Sequence, residues 1–235
     1  MIKVELASFL GFYTLPQSKK FIRQRLVNYR FGLKRERLIK KFLKGARHVP
    51  FIRGVALAGS QALGLQRATS DIDLLIITDQ KFMWLGRLFL TVYFQVLGIR
   101  RHDQKIANRF CLNHYLANPR EVDVERNLYK AMEYTKLRSV VYPQIIAKFQ
   151  LANLSWIKNF YPNVEFDSIL EQPQSVLQKI WEVFLNNRVG KYFEKVVGSL
   201  QLRRIKQEKY IFVKDDELSF HPGSKHEQLL KGFYK

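Results

Sequence analysis

The sequence predicts an α+β fold, in which a small β-sheet in the middle of the chain lies between two helical segments. The first observation is a pair of apolar, strand-like runs, residues 52–58 and 71–78, joined through a Gly-Ser turn. The second is a basic segment over residues 17–48 whose apolar residues recur at helical spacing. The third is a change from strand-like to helical patterning near residue 120.

The N-terminal segment at residues 17–48 is the most basic part of the chain. Its twelve lysines and arginines stand against a single acidic residue, Glu36. We expect one or two amphipathic helices here, with Gly32 as a candidate break between them. Two interpretations of the basic face stay open, namely a solvated surface on a packed helix and a surface that follows phosphates.

Residues 83–99 form a strongly apolar run directly after the second strand. A transmembrane helix needs about 20 apolar residues, whereas this run is shorter and contains Arg87 and Gln95. We therefore expect a buried helix that crosses over the sheet, and no integral membrane span. A peripheral membrane protein that uses this run and the basic segment is an alternative. The next strand is expected over residues 109–116.

The part of the chain after residue 120 is expected to be mainly helical. Helices are predicted over residues 125–137, 144–160 and 174–197, followed by a helix running into an extended piece over 201–214 and a short helix over 224–235. The aromatic residues of the third helix are expected in the core; they are Trp181, Phe184, Tyr192 and Phe193. The chain is thus divided into a basic helical segment (1–50), a sheet core (51–120) and a helical C-terminal region (121–235).

The segment most informative about chemistry is residues 58–74, which read AGSQALGLQRATSDIDL. Asp71 and Asp73 stand two apart on a predicted strand, so both carboxylates leave the same face. Their mutual repulsion is relieved by a divalent cation, and Asp oxygens suit Mg²⁺. Gly59 permits close backbone approach to a ligand, and the Ser60 hydroxyl can donate to a phosphate oxygen. A phosphate cradle beside paired aspartates indicates phosphoryl or nucleotidyl transfer assisted by two metal ions.

Gly59-Ser60, ten intervening residues and then Asp71-Ile72-Asp73-Leu74 resemble the signature of the nucleotidyltransferase (DNA polymerase β-like) superfamily, over roughly residues 50–117. More loosely, the flanks are similar to uncharacterised bacterial nucleotidyltransferase-domain proteins. The resemblance implies a small mixed β-sheet core in which Asp71 and Asp73 ligate Mg²⁺, while Gly59 and Ser60 hold the β and γ phosphates of an NTP. The implied reaction is transfer of a nucleoside monophosphate to an acceptor hydroxyl or phosphate, with release of pyrophosphate.

The sequence departs from the family pattern at one position. Family members commonly carry a third carboxylate on a later strand, whereas residues 109–116 contain no Asp or Glu. Asn113 is the best occupant of that position and is a catalytic candidate, although its amide brings no charge. Asp103 would substitute only if its loop folds back, and Cys111 is expected to be a small core residue. A catalytically degenerate protein that binds nucleotide or nucleic acid is therefore the alternative function.

The charge of the chain indicates a polyanionic partner. Forty basic and twenty acidic residues give a formal net charge of +20, which favours nucleic acid (RNA or DNA) over an anionic membrane surface or a ribosome. Charge of this kind contacts phosphates without reading bases. A basic patch after residue 99 either lies near the metal site or is solvated loop; it comprises Arg100, Arg101, Lys105 and Arg109.

The single cysteine, Cys111, excludes an intrachain disulfide and a zinc site built from cysteines. The first residues also lack the pattern of a signal peptide, because Glu5 interrupts them and no cleavage site follows an apolar stretch. Both observations favour a reducing cytoplasm. The sequence indicates neither the acceptor, nor which NTP is used, nor the oligomeric state.

Overall fold

The computed structural model describes residues 7–9, 12–14, 19–102, 105–122, 126–166, 171–205, 211–214 and 216–220. The strands in these ranges are β1 Ala7–Phe9, β2 Phe12–Thr14, β3 Ile52–Leu57, β4 Ile72–Thr78, β5 Phe110–Ala117, β6 Arg138–Val141, β7 Ile211–Lys214 and β8 Glu217–Phe220. The helices are α1 Lys19–Ala46, α2 Gly59–Ala62, α3 Met83–Val96, α4 Leu128–Thr135, α5 Pro143–Ala152, α6 Leu154–Ile157, α7 Val176–Leu185 and α8 Arg188–Ile205. Asp103 and the helix predicted over 224–235 lie outside the described residues.

The central element is a mixed six-stranded sheet with the order β6-β3-β4-β5-β8-β7. Strands β4 and β5 are parallel, and every other neighbouring pair in this sheet is antiparallel. Parallel neighbours need a crossover connection, and α3 supplies it between β4 and β5, as expected for residues 83–99. β1 and β2 form a separate antiparallel pair. The predicted α+β class with a mixed sheet is confirmed.

Side chains of the sheet alternate between two apolar cores. Ile72, Leu74 and Ile76 of β4 pack on the side that also buries residues of α1 and α3. Leu75 and Ile77 pack on the opposite side, with residues of α4, α5 and α6. Because both faces are covered by helices, β3 and β4 are mostly apolar.

Helix α1 is one continuous helix of 28 residues. Gly32, the candidate break, lies within this helix and faces the side chain of Gln66. A β-carbon at Gly32 would overlap that side-chain amide and would lie 3.3 Å from Cδ of Gln66. Gly32 therefore allows close packing of α1 against the segment that precedes β4. It does not break the helix, in contrast to what its position in the sequence had indicated.

The C-terminal helices are shorter than predicted. The helix expected over 144–160 is interrupted at Asn153, which joins α5 to α6, and the helix expected over 174–197 consists of α7 and α8. The Asn153 side chain accepts a hydrogen bond from the Val122 N–H at 3.0 Å, so it serves as a junction between segments. The interruption at Asn153 is not visible in the sequence pattern, because α5 and α6 both bury apolar residues at helical spacing on either side of it.

The prediction that the aromatic residues of 174–197 lie in the core is wrong. Trp181 is 52% exposed, and Phe184, Tyr192 and Phe193 are 71%, 66% and 50% exposed. Among the helices that the structure describes, none is long and apolar enough to cross a membrane.

The three-part division of the chain stays a prediction. Strands β6 and β8 come from residues after 120, yet they pair with β3 and β5 of the 51–120 segment, and β7 extends the same sheet by pairing with β8. The predicted boundary near 120 therefore divides the sequence patterns without dividing the sheet.

Candidate active site

The Gly-Ser turn lies directly against one of the two aspartates. Gly59 has a φ of +54°, in the region that favours glycine, and begins the short helix α2. A β-carbon at Gly59 would lie 3.0 Å from Cγ of Asp73 and would overlap its carboxylate. The Ala58 N–H donates to the Asp73 carbonyl oxygen at 3.0 Å. The Gly-Ser turn and the aspartate strand, the two halves of the sequence motif, are thus in contact. Ser60 follows Gly59 in the chain and is half-buried.

Asp71 and Asp73 stand at the start of β4, and their carboxylate oxygens come within 4.8 Å of one another. Burial, reinforced by the charges of Asp71 and Glu133, raises the pKa of Asp73 to about 7. A carboxylate held in so unfavourable an environment favours a cation beside it. The predicted pairing of these two side chains on one face is what the structure shows.

Arg101 is the positive group that contacts this pair in the described structure. Its Nη1 lies 2.6 Å from Oδ2 of Asp71 and 3.5 Å from Sγ of Cys111. Of the predicted basic patch, Arg101 therefore lies at the site, whereas the half-buried Arg109 donates to the Gly98 carbonyl. The guanidinium offsets part of the negative charge of Asp71.

Two side chains of β5 contact the aspartates. Cys111 is paired with Asp73 in the register of the parallel strands, and its Sγ lies within 4.8 Å of both carboxylates. Asn113 donates from Nδ2 to Oδ1 of Asp73 at 2.9 Å. Asn113, predicted for the third-carboxylate position, thus contacts Asp73. Cys111 is buried, as expected, but its thiol also faces the two aspartates, which the sequence did not indicate. Burial, and then the charges of Asp73 and Asp71, raise the pKa of the Cys111 thiol to about 12, so it is neutral at pH 7.

Glu133 of α4 is a site residue that sequence reasoning missed. The Gly59 N–H donates to its Oε1 at 2.8 Å, and Lys130 Nζ lies 2.7 Å from its Oε2. Burial raises the pKa of Glu133, but Lys130, the Gly59 N–H and His114 outweigh burial, so the pKa lies below its usual value. The only sequence signal was an i,i+3 Lys-Glu pair in a predicted helix, which is common on surfaces.

Arg35 of α1 fixes the loop that leads to the aspartates. Its guanidinium donates to the carbonyl oxygens of Arg67, Ala68 and Ser70 at 2.7, 3.2 and 2.7 Å. Its Nε also donates to Oδ1 of Asn108 at 2.6 Å. Arg35 is 4% exposed, so this member of the basic segment serves the internal structure of the protein.

The donor set at the aspartates fits a divalent cation in part. Two carboxylates, one of them with a raised pKa, are what a hard cation such as Mg²⁺ requires from a protein, because substrate phosphates and water complete its shell. The neutral Cys111 thiol is a poor ligand for Mg²⁺. Among the described residues, no third carboxylate joins this group.

A mixed sheet that carries a Gly-Ser turn against paired aspartates defines a class of phosphate-transferring domains. Comparison with protein families specifies the class, because the model of the nucleotidyltransferase domain matches residues 37–151. Residues 37–151 therefore form a domain of the nucleotidyltransferase superfamily. The match begins within α1 and ends in α5, so it contains the turn, the aspartates, Arg101 and Glu133. No curated protein and no solved structure matches the chain significantly.

Proposed function

We propose that this protein is a Mg²⁺-dependent nucleotidyltransferase that moves a nucleoside monophosphate from an NTP to an acceptor and releases pyrophosphate. The observation that carries the proposal is the contact between Gly59 and Asp73, which brings a phosphate-compatible turn against a carboxylate whose pKa is raised to about 7. Nucleotidyl transfer needs both groups at one place, because charge on the nucleotide phosphates must be bound and neutralised together.

Each residue of the site has a role in this proposal. Asp71 and Asp73 would hold Mg²⁺, which when bound neutralises charge at the reacting phosphate and assists the attacking oxygen. Ser60 would donate its hydroxyl to the β and γ phosphates, next to the Gly59 turn. The Gly59 N–H is already bonded to Glu133, so we assign Gly59 to shaping the turn. Asn113 would orient Asp73 through their hydrogen bond.

We favour a nucleic acid, RNA or DNA, as the acceptor, and ATP as one of the NTPs to be tested. Among the side chains of α1 that the structure describes, six cations are exposed and could contact a phosphate backbone; they are Arg23, Arg30, Arg37, Lys40, Lys41 and Lys44. Arg35 is excluded from that surface by its burial. We also propose a cytoplasmic location, on the basis of the single, reduced cysteine.

The test is incubation of the protein with Mg²⁺, each α-labelled NTP in turn and total RNA, followed by separation of the products. We expect label to enter the acceptor with wild-type protein and to be lost with Asp73→Asn. Asp79→Asn is the matched control, because Asp79 follows the other end of β4 and pairs with Arg53. Equal transfer by wild type and Asp73→Asn would refute the assignment of Asp73.

The second candidate is a catalytically degenerate protein that binds nucleotide or nucleic acid without turnover. Two observations favour it, namely the neutral thiol of Cys111 beside both aspartates and the ion pair between Arg101 and Asp71. Titration calorimetry with all four NTPs distinguishes the two functions when pyrophosphate is measured in the same samples. Binding without pyrophosphate release, across several acceptors, would establish this candidate in place of the enzyme.

A further inference from the structure

Helices α7 and α8 present a large apolar surface to solvent. Half of the exposed large apolar side chains in the described part of the chain belong to these two helices. We call this surface the α7–α8 face; it consists of Val176, Leu177, Ile180, Trp181, Val183, Phe184, Val189, Tyr192, Phe193, Val196 and Leu200. Contiguous apolar surface on this scale marks an interaction site.

The spacing of these residues places them on one stripe of each helix. In α8 they occur at positions 189, 192, 193, 196 and 200, which follow the i, i+3, i+4, i+7 and i+11 pattern. In α7 they cover a wider arc, and the opposite side carries the buried Gln178. Each helix is therefore amphipathic with its apolar side turned away from the protein core.

The charged residues of both helices are sorted by sign. The two carboxylates face the protein: Glu182 accepts from Arg53 and from the Phe51 N–H, and Glu194 accepts from the Trp84 and Leu85 N–H groups. Every cation of the two helices is exposed; these are Lys179, Arg188, Lys191, Lys195, Arg203 and Arg204. The outer surface of α7 and α8 thus combines apolar side chains with positive charge and carries no carboxylate.

The two helices lie at the end of strands β3 and β4 that is farther from the aspartates. Glu182 of α7 contacts Arg53 at the start of β3, and α8 packs on α3, which follows the end of β4. The aspartates lie at the opposite end of β4, whose seven residues span about 20 Å. A partner on the α7–α8 face would therefore leave the Gly59 turn accessible.

We propose that the α7–α8 face docks this protein on an anionic lipid bilayer, with both helices lying in the interface. An amphipathic helix with aromatic and aliphatic side chains on one face and Lys or Arg at its borders is the form that binds such interfaces. The apolar side chains enter the acyl boundary, and the long stems of the cations let their charges reach anionic headgroups.

Charge and side-chain chemistry favour a bilayer over the other partners. A second copy of a chain with net charge +20 would bring the six exposed cations against six like charges. A nucleic acid would match the cations and could stack on Trp181 or Phe184, but it offers no apolar interior for Val176, Ile180 and Val183. An anionic bilayer satisfies both the aliphatic and the cationic part of the surface.

The test uses the full chain with vesicles of phosphatidylcholine alone or mixed with phosphatidylglycerol. We expect sedimentation with the anionic vesicles only, weakened by added salt. Among the three tryptophans, Trp181 is the exposed one, so its fluorescence should shift to the blue on binding and Trp181→Phe should remove the shift. Absence of vesicle binding at low salt would overturn the proposal.

Variants of the apolar stripe separate docking from general charge attraction. Phe184→Ser combined with Phe193→Ser should weaken partition into anionic vesicles by about tenfold. The control is Leu151→Ser, which removes an apolar side chain that is 56% exposed on α5 and should leave partition unchanged. Circular dichroism confirms that each variant is folded.

Three outcomes of these measurements would overturn the proposal. The first is equal vesicle binding by the double variant and wild type. The second is binding of RNA that the double variant loses while vesicles fail to bind, which would assign the face to nucleic acid. The third is a concentration-dependent dimer that the double variant abolishes without any vesicle binding, which would assign the face to a second copy.

Discussion

The backbone N–H of Gly59 donates to Oε1 of Glu133, a residue 74 positions later in the chain, at 2.8 Å. This bond links the turn of the sequence motif to α4, on the side of the sheet where Asp73 also lies. Glu133 is in turn paired with Lys130. The shape of the turn and the charge around Asp73 therefore depend on one buried carboxylate.

Replacing Glu133 with Gln should reduce nucleotidyl transfer by about tenfold, because outer groups that orient a metal-binding residue typically contribute that much. The Gln can still accept from Gly59, but the negative charge that raises the pKa of Asp73 is lost. The acid limb of the pH–rate profile should therefore move to lower pH. Glu121→Gln is the control, because Glu121 forms an exposed pair with Arg126. An unchanged profile would show that Glu133 has only a structural role.

The raised pKa of Asp73 makes stability depend on pH in a defined direction. Since the folded pKa of about 7 exceeds the usual value of 3.8 for an aspartate, the folded state binds the proton more tightly than the unfolded state. Without divalent cation, stability should fall as pH rises from about 4 to 7. Asp73→Asn should then be more stable than wild type at pH 8, by about 1–3 kcal/mol, and the difference should shrink towards pH 4. Denaturant unfolding at both pH values measures it; a constant difference would contradict the assignment.

The affinity for Mg²⁺ should depend on the ionisation of Asp73. Asp73 must lose its proton to bind the cation, so affinity should rise with pH up to about 7 and then level off. Titration calorimetry between pH 5 and 8 measures this, with proton release on binding at the lower pH values. Affinity independent of pH over this range would mean that Asp73 does not bind the metal.

Cys111→Asp should supply the carboxylate that the site lacks. Position 111 faces both aspartates, so we expect Mg²⁺ affinity to rise by about tenfold, equivalent to about 1.4 kcal/mol. Cys111→Ser is the control for size, because it brings no charge. If Asn113→Asp raises the affinity and Cys111→Asp does not, position 113 is the third ligand position.

Arg35→Ala should destabilise the protein by about 2–4 kcal/mol, because three backbone carbonyl oxygens and the side-chain oxygen of Asn108 lose a buried charged donor. The same change should reduce Mg²⁺ binding, since the loop of residues 67–70 positions Asp71. Arg37→Ala, on the exposed side of the same helix, should change stability by no more than about 0.5 kcal/mol. Equal effects of both variants in thermal unfolding would contradict the anchoring role.

In residues 174–197, the sequence predicted helical structure but not which side of the helices is buried. Their pattern indicated helical structure correctly, because the period of a helix is a local property, although one long helix was predicted where the structure has two. It did not indicate which face the protein covers, and Trp181 and Phe184 lie on the uncovered face. Only the packing of α8 on α3 and the inward contacts of Glu182 and Glu194 decide that orientation.

The sequence by itself determined the fold class, the turn at Gly59 and Ser60, and the placement of Asp71 and Asp73 on one face of a strand. These features depend on residues close together in the chain, whose spacing fixes their geometry. The tertiary structure alone decided that Arg101, Cys111 and Glu133 surround the aspartates. Those contacts join residues 30 or more positions apart, and they depend on how the strands and α4 pack, which no local spacing encodes.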